Sequence, residues 1–440
     1  MNVLKRALWS LLLLCVPALA QSDMAALTRD RAIALAVAAD PWLAGSAYRQ
    51  QALSDEAAAA NSLPDPRINM TAGNLPLDTF DINQEAMTQF TVGVSQAFPR
   101  GDSRALAAQQ KVRLAEQEPL LRADRAAQVE RTVTQLWFAA YLAQETIALV
   151  EQSRGLFRQL YDAARLRYAA ALGTTRQQDL VRAQLELTRL EDRLVGLQER
   201  RAAAQRRMAE WIGDSALLPL LAPDISGSVK APAALGATQQ YRDLIVRHPA
   251  LQALDKRVEA MSAEVELARQ GYKPAWGVSA QYGYRDDDPL GRDRADLFSV
   301  GVTFDLPLFT ADRQDRQVGA AVARAEALRT DRQLLARQLL AELETALARV
   351  QRVQEREALY AQQLLPQMAD QAEAALAAYN NDDGDFAEAV RARIAELDAR
   401  MESLAISVER QQLLAQVDYL LVAADRDRSQ PTVNSAGAKQ

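Results

Sequence analysis

Three separated landmarks in this chain recur at one spacing, and that duplication constrains the fold more than any other feature. Pro41 is matched by Pro249, Pro66 opening PRINMTAG by Pro274 opening PAWGVSAQYG, and Val92 opening VGVSQAFP by Val300 opening VGVTFDLP, each pair 208 residues apart. Tyr168 and Gly173 are matched by Tyr379 and Gly384 at 211, so three residues slip in the helices between. The chain is one structural plan written twice.

Each copy reads as a helix of about 35 residues, two strands, a very long helical stretch, a turn and a helix of about 40 residues, from apolar periodicity. The helices are predicted at 28–62, 101–169 and 174–213 in the first copy, and at 241–272, 311–379 and 385–424 in the second. At the rise of an α-helix each long stretch extends on the order of 100 Å, too far for a compact domain. The two shorter helices of a copy, stacked end to end, match one long stretch and suit a tall helical wall. Pro119 and Pro366 fall inside the long stretches and are expected to kink or break them. Leu180, Ala183, Leu187, Leu190, Leu194 and Leu197 form a heptad seam, as do Val390, Ile394, Leu397, Met401, Leu404 and Val408.

The strands, at 67–75, 88–98, 275–284 and 297–307, alternate with period two. Phe90, Val92, Trp276, Tyr282, Phe298 and Val300 lie on one side, with Thr91, Gly93, Gly277, Ser279, Ser299 and Gly301 on the other. Each has the length a tilted strand needs to cross a bilayer, roughly 9 to 11 residues. A greasy outer face and a small or polar inner face fit a barrel in lipid, with the first group facing the acyl chains. Four strands cannot close, and an open edge in lipid strands backbone groups. Several chains must pool their strands, and three give an even twelve.

Residues 1–20 have Lys5 and Arg6, an apolar run and Ala18-Leu19-Ala20, the signature of a secretory signal peptide. The expected organisation is a signal peptide at 1–20, a first repeat at 21–213, a linker at 214–240, a second repeat at 241–424 and a loose polar tail at 425–440. Cys15, the only cysteine, lies in the signal, so the mature chain forms no disulfide. Leu14 precedes it where lipoprotein signals have a small residue, so lipidation is not expected. Removing Lys5 and Arg6 leaves 49 of 51 basic residues against 57 acidic, a net charge of minus eight, which disfavours nucleic acid.

The duplicated plan, with GNLPLDTFDINQEAMTQFTVGVSQAFPRGDSR, RYAAALGTTRQQDLVRAQLELTRLEDRL and RMAEWIGD, resembles the TolC family of outer-membrane efflux proteins. The NLP to FPRG segment most resembles the branch serving heavy-metal pumps of the CzcC and CusC kind. The resemblance implies a mainly α protein with a transmembrane β-barrel. Its expected form is a homotrimer with a 12-stranded β-barrel on a long α-helical barrel, set in the outer membrane with its helices in the periplasm. It would dock on a periplasmic adaptor and an inner-membrane resistance-nodulation-division (RND) pump, and carry out no chemistry.

The resemblance also places adaptor contacts at the helix tips, around Tyr168, Gly173, Tyr379 and Gly384. Ala171 and Asp382 stand where the family has glycine, and Val390 and Arg393 where some members have gating aspartates, so that gate does not carry over. Asp382, Asp383, Asp385 and Glu388 crowd the second tip, and threefold repetition would make an acidic ring favouring cations. The plainer alternative is a solvated turn with Asp385 as a helix cap.

No catalytic constellation, phosphate loop or metal-ligand spacing appears, so neither enzyme nor cofactor is expected. His248, the sole histidine, is the repeat partner of Asp40, 208 residues earlier, and reads as a helix-start residue. Multidrug efflux and type I secretion remain alternatives within the family, and a secreted helical structural or adhesive protein is the alternative outside it.

Overall fold

Asp40-Pro41 and His248-Pro249 set the first corners of the two copies. A residue before proline is driven from the helical region into extended backbone, and Asp40 (φ −70°, ψ 108°) and His248 (φ −60°, ψ 133°) obey. Each sequence expected as one helix is therefore two, α1 (Arg29–Ala39) with α2 (Pro41–Asn61), and α5 (Thr238–Val246) with α6 (Pro249–Arg269). Proline stands at the first helical position, where its missing amide costs nothing. Asp40 accepts from the Trp42 amide at 3.0 Å and His248 Nδ1 from the Ala250 amide at 3.2 Å, so the same cap is built from two chemistries.

This computed structural model describes residues 26–170, 176–221, 238–381 and 383–422. The expected signal peptide, the tail, most of the linker, Gly173 and Asp382 lie outside the described residues. After α2 come β1 (Arg67–Gly73), β2 (Gln89–Phe98), α3 (Ser103–Ala169) and α4 (Gln177–Ile212). After α6 come β3 (Trp276–Tyr284), β4 (Leu297–Phe304), α7 (Gln314–Leu359), α8 (Leu365–Asn380) and α9 (Phe386–Leu420).

Neither internal proline breaks its helix. α3 runs for 67 residues through Pro119, its neighbours on the flanks outweighing one lost backbone bond. Before Pro366 the chain makes one π-helical turn, Tyr360–Leu364, in which the Leu365 amide reaches back five residues to the Tyr360 carbonyl. This looser turn lets α7 continue into α8.

Side-chain contacts define a wall four helices wide. Lys111–Glu56 (2.6 Å) and Ser46–Glu118 (2.6 Å) hold α2 on the first part of α3. Farther along, Ala183, Leu187, Leu190, Leu194 and Leu197 of α4 share a cluster with Ile147, Val150, Phe157 and Ala164 of α3. α2 and α4 thus occupy successive lengths of one flank. In the second copy α6 lies on the first part of α7 through Arg324–Glu264 (2.6 Å), and α9 on its later part through Arg349–Glu409 (3.1 Å) and Arg356–Glu402 (2.8 Å). Arg113–Glu259 (3.2 Å) and the Gln412 amide on the Gln135 carbonyl (3.1 Å) bring α6 and α9 against α3.

A wall one helix thick has no single centre, so its apolar cores are strung along it. The cluster near the N-terminus is built on Trp137, Phe138 and Met208, all fully buried. Trp137 stacks on Tyr141 (5.4 Å between ring centres) and donates to the Leu27 carbonyl at 3.1 Å. Replacing Trp137 by Ala is expected to cost about 3–5 kcal/mol, read as a lower midpoint in denaturant, since a buried ring is lost and its cavity cannot collapse.

Candidate membrane sheet and helical tips

The four strands form one antiparallel sheet in chain order. Its register carries the alternation across all four, because opposed residues point to the same face. Met70, Val92, Tyr282 and Phe298 stand in one row, and Ile68, Val94, Ala280 and Val300 in the next. The other face has rows Asn69, Gly93, Gln281, Ser299 and Arg67, Ser95, Ser279, Gly301.

Phe90, Val92, Trp276, Tyr282, Phe298 and Val300 are all exposed on the apolar face, and nothing among the described residues covers them. The rows also sort residues by height, which reading the strands singly did not reveal. Phe98, Trp276 and Phe304 share the row nearest the helices, while Phe90, Tyr284, Tyr282 and Phe298 lie toward the loops. Valine, isoleucine and alanine dominate between. Two aromatic girdles around an aliphatic band match the profile of a bilayer, whose interfaces favour amphipathic rings. On the small face, a Cβ at Gly277 would come 2.5 Å from Thr303 Oγ1, so glycine is what lets the hydroxyl lie across its neighbour.

Among the described residues β1 pairs only with β2, and β4 only with β3, leaving one edge of each unpaired. Beneath the sheet a clamp joins strands to helices. The Arg100 guanidinium donates to the Gly271 and Lys273 carbonyls, both at 3.0 Å, and to the Asp305 carboxylate, which also accepts from the Ala275 amide at 3.0 Å. Lys273–Asp102 (3.1 Å) completes it. The clamp ties residues about 170 and 205 apart, and no local pattern announces it.

At the opposite end the tips interlock. Tyr168 is exposed on the last turn of α3, whereas Tyr379 is buried, edge-on to Phe386 at 5.1 Å. Arg167 covers the Tyr379 ring at 5.0 Å and donates to the Tyr379 and Asn380 carbonyls, both at 3.2 Å. The first copy thus satisfies carbonyls at the end of α8 that a helix leaves orphaned. At Gly384 a Cβ would meet the Ala378 backbone at 2.9 Å, so the turn closes only on glycine. Asp385 caps α9 through the Ala387 amide at 3.1 Å, and Asp383 and Glu388 are exposed beside it.

Among the described residues no group of three metal-binding side chains occurs, and no helix is long and apolar enough to cross a membrane.

Residues 241–421 match the family model described as outer membrane efflux protein. A curated relative, the proteases secretion protein PrtF of Dickeya chrysanthemi, is 24% identical over 253 residues, covering 56% of this chain and 52% of its own. The chain thus spans about half the length of that relative. Among solved structures, CusC (16% identical, TM-score 0.74) is matched over 89% of this chain and 91% of its own. The outer-membrane channel OprN (17%, TM-score 0.74) is matched over 89% of both, and VceC of Vibrio cholerae (17%, TM-score 0.71) over 89% and 95%. The fold is that of these outer-membrane channels.

Lysine at Val300, in the aliphatic band, is expected to destabilise the lipid-inserted protein by about 2–4 kcal/mol, and lysine at the adjacent Ser299 by far less. Equilibrium unfolding from phospholipid vesicles measures both; equal losses would show that the two faces do not meet different media.

Proposed function

We propose that this chain, whose second repeat matches the outer membrane efflux protein family model, is a member of that family and the exit duct of a tripartite export system. Three copies pool their sheets into a 12-stranded barrel in the outer membrane, and their helical walls close into a periplasmic tube. One observation carries the reading: a sheet with one aromatic-aliphatic face, one small polar face and two unpaired edges. No bond is made or broken in such a duct; it offers a solute a wet path past lipid.

The duplication supports closure by further copies. Val181-Arg182-Ala183 of α4 recurs as Val390-Arg391-Ala392 of α9, a spacing of 209. In α9 the stripe from Val390 through Leu397 is buried, in one cluster with Phe157 of α3. Its α4 counterpart is bare, with Val181 63% exposed and Leu185, the counterpart of Ile394, 48% exposed. Among the described residues, then, α3 covers on α9 a stripe whose α4 counterpart stays uncovered. A neighbouring copy's α8 takes that place, because α8 is the repeat partner of this part of α3. Phe157 corresponds to Met368 at the tip spacing of 211.

Apart from Cys15 the chain has no cysteine, so Val181→Cys with Met368→Cys forms an unobstructed probe. Mild oxidation of the double variant in outer membranes is expected to yield a covalent trimer on non-reducing gels, and either single variant none. A detergent-free soluble monomer would refute the duct.

A periplasmic adaptor at the tips, near Tyr168, Tyr379 and Gly384, and an RND pump in the inner membrane complete the proposed path. Heavy-metal cations are the favoured cargo, supported by the likeness of the NLP to FPRG segment and by Asp383, Asp385 and Glu388 at the entrance, a ring that would favour cations. PrtF supports a second reading, a protein-secretion duct, because its name assigns it to protease secretion. Deleting the gene separates these. Lost tolerance to zinc, cobalt, copper or silver supports metal export; unchanged metal tolerance with lost tolerance to dyes, bile salts and antibiotics supports multidrug efflux; a missing secreted protein supports secretion.

A further inference from the structure

His248, the only histidine in the chain, is fully buried where three elements meet. Its Nδ1 accepts from the Ala250 amide at 3.2 Å and its Nε2 lies 3.2 Å from the Tyr419 carbonyl in the last turn of α9, to which it donates. Both nitrogens are engaged, which selects the neutral Nε2–H tautomer. The Tyr419 ring lies edge-on to the imidazole at 5.1 Å, and its hydroxyl donates to Asp124 of α3 at 3.1 Å, which also accepts from Gln128 at 2.7 Å. In the other copy the cap is Asp40, paired with Arg125 at 2.7 Å. A carboxylate at 248 would instead sit near Asp124 and be repelled, so an uncharged acceptor fits there.

We propose that His248 is a pH-sensitive clasp, holding the α5–α6 corner to the end of α9 at neutral pH and releasing it when its compartment acidifies. A proton can enter only at Nδ1, the one free lone pair already used by Ala250. Two N–H groups would then oppose each other, the cap of α6 would be lost, and a cation would sit in a buried site. Asp124 on α3 attracts that cation, while Arg131 on α3, 4.4 Å over the Tyr419 ring, repels it. Arg247 precedes the ring in the chain, and Asp418 precedes Tyr419. Burial holds the Tyr419 phenol neutral, pushing it up to about 12 with Asp124 assisting.

Burial lowers the His248 pKa against the partial opposition of Asp124. The opened corner therefore binds the proton first. Stability of the clasped form falls as pH drops below the ordinary histidine value of about 6.5 and keeps falling until the lower clasped value is reached. Burial raises Asp124, which acts oppositely at lower pH by taking up its proton more readily when clasped.

A sole histidine gives one ring signal, so the full-length protein in detergent, labelled with ¹³C,¹⁵N-histidine, tests the clasp directly. The expected result is the Nε2–H tautomer at neutral pH and a titration midpoint below about 6.5. Exchange at the Ala250 amide, corrected for intrinsic rate, is expected to rise on acidification by up to about tenfold per unit of pKa depression. His248→Asn, whose side-chain oxygen can still cap Ala250, should abolish the rise, and Asp124→Asn should move the midpoint lower still. A midpoint at or above the ordinary value overturns the clasp, as does an equal rise in His248→Asn. Should His248→Asn not fold, an unmoved midpoint in Asp124→Asn overturns it.

Discussion

The open edges of β1 and β4 govern everything else in this molecule. In water an unpaired strand edge is a modest liability; in hydrocarbon each free amide or carbonyl costs several kcal/mol. In the proposed duct the aromatic and aliphatic face, uncovered among the described residues, meets lipid. Closure by identical neighbours, as proposed, would satisfy both demands. In the proposed duct that need propagates downward, since strands locked into a ring would lock the helices they continue into, through the Arg100 clamp.

The two copies solve similar local problems with different residues. Asp40 and His248 each start a helix after a corner, yet one is charged and paired with Arg125 while the other is neutral beside Asp124. At the tips Arg167 of the first copy reaches across to donate to the carbonyls of Tyr379 and Asn380 in the second. The duplicated frame permits such divergence, because backbone geometry sets what must be satisfied and leaves open which side chain does it.

The period-two segments and the 208-residue spacing were readable in the sequence because both are properties of residue order alone. Phe90, Val92, Trp276 and Phe298 declare a face without reference to anything distant. The girdles were not readable, since they depend on how Phe98, Trp276 and Phe304 register across strands. Nor was the Arg100–Asp305 contact, which joins positions with no pattern of their own. Proline misled in both directions: Pro41 and Pro249 turn the chain where a continuous helix was expected, while Pro119 and Pro366 do not stop theirs. The difference is what surrounds them, a free helix start in one case and flanking helices in the other. Around the tips, Gly173 and Asp382 lie outside the described residues, so only Tyr168, Tyr379, Gly384 and the remaining acidic groups have a known setting.

The wall's single-layer thickness has an evolutionary corollary. In a globular domain an inserted residue is absorbed at a surface loop, but here α3 packs along its length against α2, α4, α6 and α9, so lengthening it shifts its side chains out of step along every shared seam. The π-helical turn at Tyr360–Leu364 fits such a history, since it holds an additional residue without altering the flanking helical phase. Relatives with taller or shorter helical walls should therefore differ by matched insertions in paired helices, or by turns of this kind where only one partner changed.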